Sequence, residues 1–370
     1  MPQPVTVLIL APAAAHGAAR LETQLDAVRG ALAVRHAARF AAAGADAVIV
    51  HRELPDDTPF GARLRRLVAD HSTGGIVVLG AGSLPLATDD DRRLFVEEAR
   101  GDEPAALANN AYSADAVAIA RATVALRDLP DDLASDNALP RWLAEVAGVP
   151  VRDLRERRDL AFDVDTPMDV VLLRDALVTG AAELPWLAGD DDAAVRERLV
   201  ALRAVARDPA AELLIAGRIA GDDLRAIERG SRARTRVLIE ERGLRTAALA
   251  SQRGRPNPRP PRSLLARLLD REGPERLGEL VADHADGALI DTRVLLAARA
   301  GADESGWPAP EDRFASDLLL PGLVGDGWLQ DLTAAAAEAP VPILLGAHTL
   351  VGPGAVLAFG LPFQRRGSMP

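Results

Sequence analysis

Short apolar runs alternate with helix-like segments along most of the chain, and this alternation restricts the choice of fold more than any other feature. The first half opens on the apolar run VTVLIL at 5–10, followed at 24–43 by a segment with apolar residues on one helical face. Further strand-like and helix-like segments follow in turn at 44–51, 61–71, 74–82, 89–100 and 167–177. Such alternation is typical of an α/β fold with a mostly parallel sheet covered by helices.

The second half resumes the same alternation beyond residue 210. Its strand-like runs lie at 211–217, 234–241, 287–292 and 340–348, with helix-like segments near 221–230, 263–271 and 274–284. A chain of 370 residues is longer than one hydrophobic core usually covers. We therefore predict a first domain at 1–185, a helical connector at 186–210 and a second α/β domain at 211–370. The Pro- and Arg-rich stretch at 251–263 predicts an irregular loop.

The composition excludes several classes of function. The formal net charge is -11, and no basic stripe with interleaved aromatic residues is present, so we predict no nucleic-acid partner. No uncharged apolar run reaches 18 residues, and no basic segment opens the chain, so we predict neither a membrane span nor a signal peptide. Cysteine is absent, which excludes disulfides and thiolate metal sites. These features favour a cytoplasmic protein, and they leave an oligomer open.

The sequence contains no lysine, so arginine carries all of the positive side-chain charge at neutral pH. A lysine Schiff base and a lysine clamp on phosphate are therefore excluded. Any contact with an anion has to come from arginine or from backbone N–H groups.

The stretch FDVDTPMDVVLL carries the clearest chemical pattern. Thr166 is a good N-cap and Pro167 suits the first helical position, which places Asp169 at the third position, where an acid favours the helix dipole. Asp163 and Asp165 lie just before that helix, at the edge of the sheet where α/β sites form. Such carboxylates are ligands for Mg²⁺, and Asp is also a common turn residue. Both interpretations stay open for this pair.

Five motifs in a fixed order resemble one family. The segments VTVLILAP, FGARLRRLVAD, VVLGAGSLPLATDDDRRL, ASDNALPRWLAEVAGVPV and FDVDTPMDVVLL are similar to those of nucleotidyltransferases with a GT-A-like fold. That group includes molybdenum-cofactor guanylyltransferase and 2-phospho-L-lactate guanylyltransferase. The resemblance covers roughly residues 5–177, about half of the chain. It implies a Rossmann-like, GT-A-like sheet and transfer of a nucleotidyl group from an NTP to a phosphorylated acceptor.

The resemblance also assigns roles to particular residues. It implies that Asp163 and Asp165 hold Mg²⁺ and that Arg20 and the backbone near Gly17 contact the triphosphate. Asp163, Asp165 and Arg20 are then the catalytic residues.

The loop ANNAYSADAV, at 108–117, supplies further candidates. Asn109 and Asn110 are candidates to face the acceptor. A turn followed by an N-cap at Ser113 is the alternative.

Two departures from the family pattern favour a second interpretation. The opening loop LAPAAAHGAARLE holds one glycine, Gly17, and one arginine, Arg20, where the family has a Gly-rich loop. Ser83 stands where the family has its first metal-binding aspartate, and a hydroxyl is a poor replacement for a carboxylate on Mg²⁺. The alternative is a non-catalytic protein of the same fold that binds a nucleotide or sugar phosphate, or acts as a scaffold.

The second half has a polar constellation of its own. Its members lie near the ends of predicted strands or in one short segment, and they are Asp291, Arg293, Glu311, Asp312, Arg313, Asp317 and His348. Polar residues at strand ends are where ligands bind in α/β sheets. Their spacing matches no known metal motif, and neither a Walker A loop nor a G-x-S-x-G elbow occurs in the chain.

Overall fold

The computed structural model describes residues 3–54, 56, 58–71, 74–133, 135–177, 184–185, 187, 189–244 and 259–363. Most of the predicted loop at 251–263, up to position 258, lies outside these residues. So do positions 186 and 188 of the predicted connector.

The chain divides into two compact units. Unit 1 consists of Met1–Ala18, Asp26–Val164 and Gly180–Pro185, and unit 2 of Ala19–Leu25, Asp165–Thr179 and Trp186–Pro370. The helix predicted at 167–177 thus belongs to unit 2, whereas the prediction counted it with the first domain. Compactness alone does not show which segments fold independently, so the predicted domain limits stay a prediction.

Unit 1 is built on a mixed six-stranded sheet. Its strands are β1 (Val5–Leu10), β2 (Ala47–His51), β3 (Gly75–Gly80), β4 (Ala106–Ala108), β5 (Ala116–Ile119) and β6 (Val151–Asp153), in the order β2-β1-β3-β5-β4-β6. β5 runs antiparallel to both of its neighbours, and the remaining pairs are parallel. The carboxyl ends of β1, β2 and β3 therefore meet at one edge.

Helices of unit 1 pack on this sheet. They are α1 (Arg20–Ala42), whose first residues up to Leu25 belong to unit 2, α2 (Phe60–His71), α3 (Asp89–Ala99), α4 (Ala122–Ala125) and α5 (Leu139–Glu145). One core contains Leu8 and Leu64, and another contains Val7 and Phe95. Since successive side chains of a strand point to opposite faces, Val7 and Leu8 show that both faces of β1 are covered.

Unit 2 is built on a parallel four-stranded sheet. Its strands are β7 (Glu212–Gly217), β8 (Arg234–Ile239), β9 (Gly287–Asp291) and β10 (Ile343–Gly346), in the order β10-β9-β7-β8. From β7 the chain adds β8 on one side, then crosses to add β9 and β10 on the other. The strand order therefore reverses between β7 and β9, and such a switch point opens a crevice at the carboxyl edge of the sheet.

Helices surround the second sheet, which makes this unit α/β as well. They are α6 (Pro167–Ala176), α7 (Ala193–Arg207), α8 (Gly221–Gly230), α9 (Leu264–Glu272), α10 (Leu277–Ala282), α11 (Thr292–Ala300), α12 (Pro310–Asp317), α13 (Gly327–Glu338), α14 (His348–Val351) and α15 (Pro353–Ala358). α7, which lies inside the predicted connector, packs on β7, β9 and β10 and buries Val195, Leu199 and Leu202. The predicted α/β class is confirmed for both halves.

Candidate functional site

The structure brings together two motif positions of unit 1 that are 80 residues apart in the sequence. Ser83, in the loop after β3, forms an isolated antiparallel bridge with Asp163. The N–H of Val164 donates to the carbonyl of Gly82 at 3.1 Å. A Cβ atom at Gly82 would lie 2.7 Å from the carbonyl oxygen of Val164 and 2.9 Å from Oδ1 of Asp163. Glycine at position 82 therefore permits the close approach of the two segments.

Ser83 is followed by an unusual backbone conformation and lies near a buried histidine. Leu84, directly after Ser83, has a left-handed backbone with φ of 53°, which is uncommon for a residue with a branched side chain. His36 of α1 is fully buried, and neither of its ring nitrogens has a hydrogen-bond partner among the described residues. Burial first, and then the charge of Arg92, lower the pKa of His36 to about 3. His36 is therefore neutral at physiological pH.

Asp163 and Asp165 belong to different compact units. Asp163 is half-buried, and its Oδ1 accepts the N–H of Val164 at 2.8 Å. Asp165 is also half-buried, and its N–H donates to Oδ2 of Asp169 at 3.0 Å. Within the described ranges, no group of three or more His, Asp or Glu side chains is arranged to hold a metal ion. The role of Asp163 and Asp165 as Mg²⁺ ligands stays a prediction.

The helix start predicted around Pro167 is confirmed. Thr166 is the N-cap of α6, and with Asp169 it forms a capping box in which each residue binds the backbone of the other. Oδ2 of Asp169 accepts the N–H of Thr166 at 2.8 Å and its hydroxyl at 3.0 Å. Oδ1 of Asp169 is buried without a hydrogen-bond partner among the described residues. Burial first, and then the charge of Asp165, raise the pKa of Asp169 to about 7.

The two predicted triphosphate contacts differ, because Arg20 is engaged in an ion pair whereas Gly17 is exposed. Arg20 forms an ion pair with Asp191, and 48% of its side chain is exposed. The N–H of Leu21, in the first turn of α1, donates to both carboxylate oxygens of Glu311, at 3.2 and 3.0 Å. Gly17 is exposed in a left-handed conformation with φ of 79° and has open space around it. A phosphate at Arg20 would have to compete with the carboxylate of Asp191.

The two asparagines of the predicted acceptor loop differ in their environment. Asn109 is fully buried: its amide donates to the carbonyl of Leu160 at 3.0 Å and its oxygen accepts the N–H groups of Asp115 and Ala116. This geometry gives Asn109 a structural role between β4 and β5. Asn110 is half-buried, and its side chain accepts the N–H of Tyr112 at 3.0 Å. Contact with an acceptor stays a prediction for both residues.

The constellation of the second half separates into ion pairs and caps. Arg293 is buried and donates to both oxygens of Asp317. Burial lowers the pKa of Arg293, but the charge and hydrogen bonds of Asp317, together with the charges of Asp291 and Asp169, raise it by more, so the pKa is raised. Asp312 accepts the N–H groups of Gly325 and Asp326, at 3.0 and 3.1 Å. These contacts hold helices and loops of unit 2 together.

Two further members of that constellation take different positions. Arg313 donates to Glu304 at 2.8 Å, and its guanidinium lies over the ring of Trp307. His348 is half-buried and begins α14, which follows β10. The contacts of Asp312 and Arg313 are therefore structural. His348 lies near the carboxyl edge of the second sheet.

Sequence reasoning missed Arg218, the first residue after β7. Its guanidinium donates to both carboxylate oxygens of Asp291, at 2.6 and 3.0 Å. A polar residue directly after an apolar strand was the available signal, as it was for Asp291. The two are 73 residues apart, so no local spacing could show that they meet.

Neither a known protein family nor a curated protein sequence matches this chain. Among the described residues, no helix combines the length and apolar character needed to cross a membrane.

Proposed function

We propose that this chain is a nucleotidyltransferase-like protein with a GT-A-like first unit, which binds a nucleoside triphosphate at the carboxyl edge of its first sheet. The observation that carries the proposal is the bridge between Ser83 and Asp163. These residues come from two motifs that the family resemblance relates to one metal site. Their adjacency beyond the carboxyl end of β3 supports the resemblance, because ligands of open α/β sheets bind at that edge.

The reaction is transfer of the nucleotidyl group to a phosphorylated acceptor, with release of pyrophosphate. An acceptor oxygen attacks the α-phosphorus in line, so catalysis depends on positioning and on neutralising charge. In this proposal Asp163 and Asp165 hold Mg²⁺, which neutralises charge on the phosphates when it is bound. Arg20 and the backbone at Gly17 contact the triphosphate. The side chain of Arg20 is 48% exposed and that of Asp191 is 19% exposed, so a phosphate at Arg20 has to displace a carboxylate that is mostly buried.

A second candidate function is nucleotide or sugar-phosphate binding without transfer. Ser83 at the metal position favours it, because one carboxylate is missing from the set that would hold Mg²⁺. The contact between Glu311 and the first turn of α1 also favours it, because that carboxylate takes an N–H group near the predicted triphosphate contacts.

Titration of the full chain with each common NTP, with and without Mg²⁺, tests binding by calorimetry. Pyrophosphate release in the presence of phosphorylated acceptors then tests transfer. Binding with Mg²⁺-dependent pyrophosphate release supports the transferase, and binding without release supports the second candidate. If no NTP and no sugar phosphate binds at millimolar concentration, both candidates are wrong.

A further inference from the structure

The strand β8 lies at one edge of the second sheet. It pairs with β7 on one side, and no described strand pairs with its other side. The N–H groups of Arg234 and Glu240 donate to carbonyl oxygens at the two ends of β7, each at 3.0 Å. Peptide groups alternate in direction along a strand, so those of Thr235, Val237 and Ile239 point away from the sheet. These outward groups form a row that another strand can pair with.

The charges of β8 are segregated along its length. Arg234 and Arg236 lie in its first half, with 70% and 55% of their side chains exposed, and both contact the single carboxylate of Glu212. These three side chains together keep one positive charge. Just past the end of β8, the carboxylate of Glu240 accepts the N–H of Leu264 and a serine hydroxyl, at 2.6 and 2.7 Å. Neither of these donors carries a charge, so the negative charge of Glu240 is kept.

Exposed apolar side chains lie near the end of β8. Ile239 is 46% exposed, and on α9 Leu264 and Leu268 are 66% and 38% exposed. α9 begins beside β8, because the N–H of Leu264 binds the carboxylate of Glu240. Leu264 and Leu268 are one helical turn apart and share a face of α9. Apolar side chains grouped in this way at a surface favour contact with another protein.

A second copy of β8 fits this edge when it runs antiparallel to the first. Outward peptide groups bond only to outward groups, so the register that pairs all of them places Thr235 opposite Ile239 of the second copy. Val237 then lies opposite Val237 of the second copy, on the twofold axis.

The same register brings opposite charges together. It places Arg234 opposite Glu240 of the second copy, with their Cβ atoms about 5 Å apart, and the twofold axis repeats this pair. A register centred on Arg236 would instead place this arginine opposite its own copy, which repulsion disfavours. Charged side chains on an edge strand usually prevent pairing. Here the two signs lie at opposite ends, so they admit an antiparallel copy of the same strand.

We propose that two copies of this chain associate about a twofold axis through antiparallel pairing of β8, which joins their four-stranded sheets into one continuous sheet. The apolar side chains of Ile239, Leu264 and Leu268 flank the paired strands. This surface lies wholly in unit 2, and it does not depend on the function proposed for the first sheet.

Sedimentation equilibrium of the full chain tests the association. We expect a dimer with a dissociation constant on the order of micromolar, since the contact is small. Arg234→Glu should weaken it by about tenfold, because like charges then face each other at two symmetric places. The double variant Arg234→Glu/Glu240→Arg restores opposite charges and should recover the affinity. Arg127→Glu, at an exposed position of unit 1, controls for the change of net charge.

A second test uses the absence of cysteine from the chain. In the proposed register the two Cα atoms at position 237 are about 5.5 Å apart, which suits a disulfide. Val237→Cys should therefore form a covalent dimer under mild oxidation. Val146→Cys, at a site that is 72% exposed, should stay mostly monomeric under the same conditions.

Three results would overturn the proposal. One is a wild-type chain that stays monomeric at millimolar concentration. Another is a dimer whose affinity is the same in Arg234→Glu, in the double variant and in Arg127→Glu. The third is cross-linking of Val237→Cys that is no faster than that of Val146→Cys.

Discussion

At the scale of the residue, Asp169 shows how helix capping and burial act on one carboxyl group. Its Oδ2 satisfies the start of α6, while its Oδ1 is buried without a hydrogen-bond partner among the described residues. Burial raises the pKa of Asp169 to about 7. The native state therefore keeps this proton in a pH range where the unfolded chain, with an Asp pKa of about 3.9, has lost it.

This difference predicts how stability depends on pH. Between about pH 4 and pH 7 the native state binds more protons at Asp169 than the unfolded state does. The contribution of Asp169 to the free energy of unfolding is therefore lost as the pH rises through this range. The side chain of Asp169→Asn resembles the protonated form of Asp169. The variant should therefore have a higher free energy of unfolding than the wild type at pH 8, by on the order of 2–4 kcal/mol. At pH 4 the two proteins should have similar free energies of unfolding. Denaturant unfolding at both pH values measures this. A variant less stable than the wild type at pH 8 would contradict the buried, protonated state.

Ser83 gives a second prediction at this scale. Ser83→Asp places a carboxylate beside Asp163, so Mn²⁺ and Mg²⁺ should bind roughly tenfold more tightly or better. Metal titration followed by Mn²⁺ electron paramagnetic resonance measures the change. Ser305→Asp, at an exposed position, controls for the added charge. Equal affinity in the two variants would show that position 83 does not face a metal.

At the scale of the element, local signals were sufficient for some features and not for others. The helix start at Thr166 and Pro167 was predicted because capping depends on adjacent residues. β4 and β6 have three residues each, too few to show an alternating pattern, and neither was predicted. The pair of Arg218 and Asp291 depends on strand order, which no local pattern reveals. Burial of Asn109 likewise depends on the distant Leu160.

The capping box of α6 makes a direct prediction about one element. Thr166→Ala removes a hydroxyl that binds both the backbone and the carboxylate of Asp169, and it should lower the free energy of unfolding by about 1 kcal/mol. Thr88→Ala removes the matching cap of α3 and should cost a similar amount. Thr123→Ala, at an exposed position, is the control and should change stability little. Chemical denaturation of the three variants makes the comparison, and a cost at Thr166 no larger than that at Thr123 would count against the cap.

At the scale of the whole molecule, the division into two compact units separates α6 from the motif that precedes it. α6 buries Met168, Val171 and Leu172 in unit 2, where it packs against α12, α14 and α15. Each buried side chain of this kind contributes about 1.5–3 kcal/mol relative to exposure. The predicted domain limit at residue 185 would leave this helix without those packing partners.

A fragment of residues 1–185 should therefore be poorly soluble, or melt below the full chain. A fragment of residues 1–164, which ends before α6, should aggregate less because it lacks that apolar helix. Light scattering and thermal melts compare the two fragments with the full chain. If the 1–185 fragment stays monomeric and melts at the full-length temperature, α6 does not need its partners in unit 2.

The proposed function requires that the edge around Ser83 and Asp163 binds a nucleotide. The direct measurement is the affinity of the full chain and of Asp163→Asn for the tightest-binding NTP, in the presence of Mg²⁺. Asp331→Asn, at an exposed position of α13, is the charge-matched control. We expect Asp163→Asn to bind at least about tenfold more weakly, because a carboxylate near the metal and phosphates is lost, while Asp331→Asn binds like the wild type. Equal affinity in all three proteins would contradict the claim.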